Sequence, residues 1–187
     1  MRFRLVGIAV VLVFWAAAAV AQDLNLKGAG IGSDEPIELT AKKALTRNVP
    51  DGIEMTFERD VKLVQGSATI NCDKLVVVYD EKRSKASNPN GKSSKSVQST
   101  EAIRSMVFSG NVKLVQADSQ VTAGKAVLDN VKRTLTLTDG PRLWKGRDSA
   151  AADTIVIYLD ENRLELLGNG SPIKFIITPA NRKKDSQ

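Results

Sequence analysis

Two short patterns recur along this chain at matching intervals, and that recurrence limits the folds open to it more than any other feature. The first runs Leu39-Thr40-Ala41-Lys42-Lys43-Ala44, Ile70-Asn71-Cys72-Asp73-Lys74-Leu75 and Val121-Thr122-Ala123-Gly124-Lys125-Ala126, with a weaker copy at Ala150-Ala151-Ala152-Asp153-Thr154-Ile155. Its small third residue falls at Ala41, Cys72, Ala123 and Ala152, in steps of 31, 51 and 29 residues. In the second pattern, Phe57, Phe108, Leu137 and Leu166 each precede a predicted turn containing Asp, Asn or Gly, in steps of 51, 29 and 29. The chain resumes as Val61-Lys62-Leu63, Val112-Lys113-Leu114 and Pro141-Arg142-Leu143. The unit is therefore about 30 residues, read as strand, turn, strand.

The runs between these marks are β in character. Val, Ile, Leu and Thr alternate with polar residues, as in Ile53-Glu54-Met55-Thr56-Phe57, Thr134-Leu135-Thr136-Leu137-Thr138 and Thr154-Ile155-Val156-Ile157-Tyr158. No amphipathic helix is evident from Ile37 to Thr178. Two short strands cannot bury an apolar face alone, but stacked units share one core. With one face of each sheet apolar and the other wet, two apolar faces must meet. The expected fold is all-β: an antiparallel jelly roll, or elongated twisted sandwich, of about four two-strand repeats over residues 36–178. Its inward side chains are expected to be Ile37, Leu39, Met55, Phe57, Leu63, Ile70, Phe108, Leu114, Val121, Leu135, Leu137, Leu143, Ile155 and Ile157. Alternation alone leaves two uses for them open: a closed core, or an apolar groove that holds lipid between the sheets.

One repeat carries some 20 extra residues. Arg83 to Thr100 has six Ser, four Lys or Arg, Pro89, Gly91 and no acid, which reads as a mobile surface loop, with a basic contact for phosphates as the alternative. Ahead of the β region, Arg2 and Arg4 are followed by a charge-free run from Leu5 to Val20 and by Ala19-Val20-Ala21. That is the pattern of a cleaved secretory signal peptide over residues 1–21. The run is 16 residues, against the roughly 20 of a spanning helix. Residues 22–35 read as a lead segment and 179–187 as a disordered basic tail.

Composition narrows the chemistry. The chain has no His and one Cys, so a His-dependent nucleophile system, a His-ligated metal and an internal disulfide are excluded. Glu54, Glu58, Asp60, Asp73, Asp80 and Glu81 read as turn formers or solvated strand positions, and no catalytic acid pair stands out. Cys72 takes the place of Ala in the other repeats and reads as a small buried residue. No cofactor motif is present, and neither a cofactor nor a metal is expected. Setting Arg2 and Arg4 aside leaves 25 basic residues against 21 acidic, a balance of +4 that favours anionic partners. Export argues against nucleic acid and fits phosphorylated lipid head groups.

A repeat array leaves an unpaired edge at each end. The strands near Pro36–Leu45 and Ile173–Thr178 have no evident cap, which makes Ile37, Leu39, Ile173, Phe175 and Ile177 candidates for edge-to-edge pairing.

Ser33-Asp34-Glu35-Pro36-Ile37-Glu38-Leu39, the aliphatic-Thr-Ala-x-Lys repeats, the Phe108-Ser109-Gly110-Asn111-Val112-Lys113-Leu114 segment and the closing Ile173–Pro179 strand together resemble the LptA/OstA-like family over most of the chain after Ala21. The fourth repeat departs from that pattern at Ala150-Ala151-Ala152. The resemblance implies a periplasmic β-jelly roll that binds the lipid A part of lipopolysaccharide and joins end to end with its own copies. It also implies LptC-like partners at the inner membrane and LptD-like partners at the outer membrane, and a carrier rather than an enzyme. Ile37 and Leu39 match apolar residues at that family's lipid-handling end. Two readings stay open beside it: a membrane-anchored LptC-like partner of the same pathway, and a structural β-scaffold that binds no lipid.

Overall fold

The computed structural model describes residues 35–50, 52–80, 102–161 and 163–179. The readings for the signal peptide, most of the lead segment, the basic insert and nearly all of the tail lie outside the described residues.

Among the described residues, twelve strands form one antiparallel sheet: β1 (Ile37–Thr40), β2 (Lys43–Val49), β3 (Gly52–Gln65), β4 (Ala68–Tyr79), β5 (Ile103–Gln116), β6 (Ser119–Asp129), β7 (Thr134–Thr138), β8 (Arg142–Lys145), β9 (Asp148–Ala151), β10 (Thr154–Tyr158), β11 (Arg163–Leu167) and β12 (Lys174–Ile176). The order follows the chain closely, β1-β3-β4-β5-β6-β7-β10-β11. The exceptions show how the sheet is built. β3 pairs with β2 through residues 52–58 and with β1 through residues 62–65. β6 likewise pairs with β7 through residues 125–129 and with β8 through residues 119–122. Four long strands therefore run the full height of the sheet, and its remaining columns are made of two short strands each.

The break between short strands falls at one level, and the long strands are irregular at that same level. Register slips between Glu58 and Val61 on β3, between Asn71 and Lys74 on β4, and between Ser109 and Val112 on β5. Arg59, Asp60, Gly110 and Asn111 there have φ of 68°, 52°, 75° and 48°, the left-handed backbone of a bulge that bends its strand. Asp139 and Gly140 (φ 62° and 73°) separate β7 from β8 at the same level. Aligned bulges form a crease. Across it the sheet doubles over into an upper leaf (β2, the adjoining halves of β3 to β6, β7, β10, β11) and a lower leaf (β1, the other halves, β8, β9, β12). A single sheet has no second layer to cover its apolar face, and strands that switch layers through bulges solve this.

The two recurring sequence patterns both mark this crease. Ala41, Cys72, Ala123 and Ala152 lie on it, and so do the expected turns. The structure corrects two details. Arg59-Asp60 and Gly110-Asn111 are bulges inside the continuous 14-residue strands β3 and β5, not turns between strands. A bulge needs the same left-handed residues as a turn, so local sequence does not separate them. Pro36–Leu45 is not one edge strand but two, because Lys42 donates its N–H to the Arg59 carbonyl at the bend (3.0 Å) and β1 and β2 continue on different leaves.

Gly110 has no freedom to vary. A side chain there would meet the Asp73 carboxylate oxygen at 2.3 Å, and that carboxylate already accepts a hydrogen bond from the Asn111 amide (2.8 Å). At Gly124, a Cβ would lie 2.6 Å from the Asp139 Cβ, while the Gly124 N–H donates to the Asp139 carbonyl (2.9 Å). Close approach of neighbouring columns at the crease is what requires glycine in both places.

Candidate functional site

The interior is one apolar cluster drawn from both leaves. Leu75, Phe108, Leu128, Leu135, Leu137 and Ile155 of the upper leaf join Val61, Leu63, Val121 and Leu143 of the lower, each at most 2 % exposed. Of the fourteen side chains expected inside, Leu63, Ile70, Phe108, Leu114, Val121, Leu135, Leu137, Leu143, Ile155 and Ile157 are buried in this cluster. Ile37, Leu39, Met55 and Phe57 are half-buried and pack against it. The interior is therefore sealed in the middle and opens toward the β1/β2 edge. Ile53 joins the half-buried group there, and Leu164 and Leu166 play the same part toward β11.

Sequence reading missed several members of the cluster, notably Leu75, Val77 and Tyr79. Leu75-Val76-Val77-Val78-Tyr79 is apolar at every position, so alternation does not say which residues turn inward. Register does: Leu75 faces Phe57 and Phe108 across the ladders.

The ends differ from the middle. β1 and β2 pair only with β3, β11 only with β10, and β12 only with β9, which leaves open hydrogen-bonding edges on both sides among the described residues. Exposed apolar side chains gather there: Leu45 on β2, and Ile173, Phe175, Ile176 and Ile177 in and around β12. The last strand is shorter than Ile173–Thr178, spanning Lys174–Ile176, because Thr178 turns its N–H to the Asp148 carboxylate (2.8 Å) and its hydroxyl to the Arg147 carbonyl (3.1 Å). The end of the sheet is thus tied back to the β8–β9 turn.

The outer surface of the upper leaf near β2 is laced with ion pairs. Glu58 lies between Lys43 (2.9 Å) and Lys74 (3.3 Å), Arg47 meets Glu54 (2.8 Å), and Lys42 pairs with Asp60. Hydrogen bonds from Lys43 and Lys74 hold the Glu58 carboxyl below the usual carboxylate range, and Lys42 does the same for Asp60. A folded-state pKa below the unfolded one gives stability that is present above the unfolded value and lost as pH falls through the folded one. A Glu58→Gln variant is accordingly expected to match the parent in acid below the normal carboxylate range and to be less stable than it at neutral pH. Urea midpoints across that range check this, and a constant gap at all pH values would contradict it.

Cys72, on the crease, is buried and donates its thiol to the Lys74 carbonyl at 3.3 Å. Burial pushes the thiol up to about 11. The thiolate is the reactive form, so the folded protein is expected to resist a disulfide reagent at mildly alkaline pH and to titrate one thiol per chain only in guanidinium chloride. Rapid titration in buffer would show that the crease opens.

Among the described residues, no cluster of three His, Cys, Asp or Glu side chains is placed to hold a metal ion, and no helix is long and apolar enough to cross a membrane. The arrangement is an apolar interior, half-open at its edges, between leaves that share their strands. The family model described as "LptA/(LptD N-terminal domain) LPS transport protein" matches residues 38–163, two-thirds of the chain. The chain belongs to that family. Its fold is similar to a crystal structure of LptH, described as the LptA homologous periplasmic component of the lipopolysaccharide transport device of Pseudomonas aeruginosa. That likeness has 15 % sequence identity and a TM-score of 0.58, and covers 81 % of this chain and 99 % of LptH. None of the curated proteins matches. The protein is thus a lipopolysaccharide-transport-related β-jelly roll.

Proposed function

We propose that this chain is a periplasmic carrier, exported by a cleaved leader, that binds the lipid A part of lipopolysaccharide and bridges the inner and outer membranes. It would do so by pairing edge to edge with its own copies and with LptC-like and LptD-like jelly rolls. The observation that carries this reading is the graded interior. Ile37, Leu39, Met55 and Phe57 offer apolar surface at one edge, continuous with the buried cluster, and Phe175 and its neighbours offer it at the other.

The energetics fit a carrier. Each buried CH₂ of an acyl chain gains roughly 0.8 kcal/mol, so a lipid with several chains fully enclosed would not leave. A sealed middle with half-open edges holds such chains in part and leaves the rest for the next copy. The binding set proposed is the fourteen inward residues, with Ile37, Leu39, Met55 and Phe57 in first contact. The pairing set is Ile37, Leu39, Ile173, Phe175 and Ile177.

Co-purification of lipopolysaccharide with the full chain tests this. Leu39→Asp and Met55→Asp change half-buried positions and are expected to keep a cooperative melting transition, at a lower temperature, while losing most of the bound lipid. Retention equal to the parent in both variants would sink the proposal. A folded parent that retains no lipid would favour a structural module, the reading supported by the ten candidate residues sealed inside.

A further inference from the structure

Register places one row of residues across the outer face of the lower leaf, each opposite the next: Thr40, Lys62, Asn71, Lys113, Thr122, Arg142, Ala151, Lys174. A cation stands on every second strand as far as Arg142 and then at Lys174, and no acid is among them. All four cations are exposed. Strands lie about 4.8 Å apart, so successive cations are roughly 10 Å apart.

The row differs in kind from the upper leaf. There Lys43 and Lys74 share Glu58, and Arg47 meets Glu54, across the ladders. Lys62, Lys113, Arg142 and Lys174 make no ion pair among the described residues. Three acids on the crease are engaged elsewhere, Asp60 by Lys42, Asp73 by the Asn111 amide, and Asp153 by the Ser171 N–H, and on the same face Glu38 of β1 is exposed at the Lys62 end. Unpaired like charges held in line by a rigid sheet repel one another, and a multivalent anion relieves that repulsion.

The row also ends in a concavity. Arg142, Trp144, Ser149, Ala151, Lys174 and Ile176 line a pocket of about 210 Å³. It combines two unpaired cations, an indole and a hydroxyl. Cations suit phosphate oxygens, with Arg able to bind them bidentately. The indole suits the apolar face of a sugar ring, and Thr40, Asn71 and Thr122 between the cations suit its hydroxyls. A flat lipid surface has no use for the concavity.

We infer that the outer face of the lower leaf is a binding track for a phosphorylated saccharide, running from Lys62 to Lys174 and anchored in the Trp144 pocket. The inference deepens the carrier reading, on which it rests for the source of such a head group, because acyl chains inside the fold leave a charged sugar outside it. A free phosphorylated saccharide has the same chemistry.

The chain has two tryptophans, so Trp15→Phe in the full chain leaves Trp144 as the only indole reporter. The probe is the phosphorylated oligosaccharide left after complete deacylation of lipopolysaccharide. It is expected to shift Trp144 emission saturably and with strong salt dependence. Binding should weaken on the order of tenfold in Lys113→Gln/Arg142→Gln/Lys174→Gln, and similarly when the probe is dephosphorylated. No shift, or the same affinity in the triple variant, overturns the track. So does a cation-dependent shift produced only by phosphatidylglycerol vesicles, which would make this face a membrane contact. Whole lipopolysaccharide co-purified in parallel reports on the carrier reading separately. Its loss with the oligosaccharide signal intact refutes the carrier alone, and the reverse refutes the track alone.

Discussion

Phe108→Ala is expected to lower the unfolding free energy by about 3–5 kcal/mol, the range for removing an aromatic ring from a closed core. Phe108 is 1 % exposed and sits on the upper-leaf half of β5, where register sets it opposite Leu75 and Ala126. Leu39→Ala, by contrast, is expected to cost about 1 kcal/mol, since a half-buried side chain gives up only part of its transfer energy and leaves no sealed cavity. Denaturant midpoints of the two variants measure the contrast. Similar losses would mean that the interior is uniformly closed or uniformly open, and the graded interior would be wrong. A sizeable loss for Phe108→Ala in the absence of lipid also separates a packed core from a groove that only fills when loaded.

Gly110→Ala is expected to destabilise the fold by about 2–3 kcal/mol. An L side chain in the left-handed region costs roughly 1–2 kcal/mol, and displacing the Asp73 carboxylate from Asn111 adds a lost hydrogen bond of about 1 kcal/mol. Pairing the change with Asp73→Gly removes the whole side chain, including the Cβ that would lie 2.9 Å from the new one, and is expected to leave only the backbone part. Thermal melts of both variants and the double decide it. Additive losses would show that Gly110 and Asp73 act separately and that the crease does not depend on their close approach. Because bulges re-aim whole strand halves, Gly110→Ala is also expected to loosen Cys72 and speed its reaction with thiol reagents.

Much of this architecture is legible in the sequence, for a physical reason. A strand with one face buried needs strict alternation, and a crease needs small or left-handed residues at a fixed level in every column. Both leave periodic marks, and Ala41, Cys72, Ala123 and Ala152 fall on the bend for that reason. What was not legible is equally specific. Arg59-Asp60 looks like a turn because a bulge and a turn demand the same backbone. The inward members of Leu75–Tyr79 are hidden in an unbroken apolar run. Lys62, Lys113 and Arg142 do recur at the centre of the Val-Lys-Leu-type segments, but nothing in the sequence shows that they line up with Lys174, because the row from Lys62 to Lys174 draws on seven different strands that meet only through register. For the fourteen residues proposed to bind lipid, alternation predicts an apolar interior but is blind to which part of it is sealed. That depends on how many columns stand on either side, and of the fourteen only Ile37, Leu39, Met55 and Phe57, next to an edge, are left half-open.

The nearly sequential strand order has a kinetic consequence. Most ladders among the described residues join strands consecutive in the chain, and the β3–β4 and β5–β6 hairpins close through two residues each. Short loops cost little closure entropy, so these hairpins form early. The β1–β3, β6–β8, β7–β10 and β9–β12 ladders enclose one or two intervening strands, and the β4–β5 ladder must wait for residues 80–102 to close. Once it has, each further column adds to a template already in place, in the manner of a repeat protein growing outward from its middle. The edges are then the last parts to form and the first to fray. An end strand with few bonds to its own sheet exchanges its neighbour most readily, so the order in which the chain folds leaves its least committed strands at the two places where another chain would have to bind.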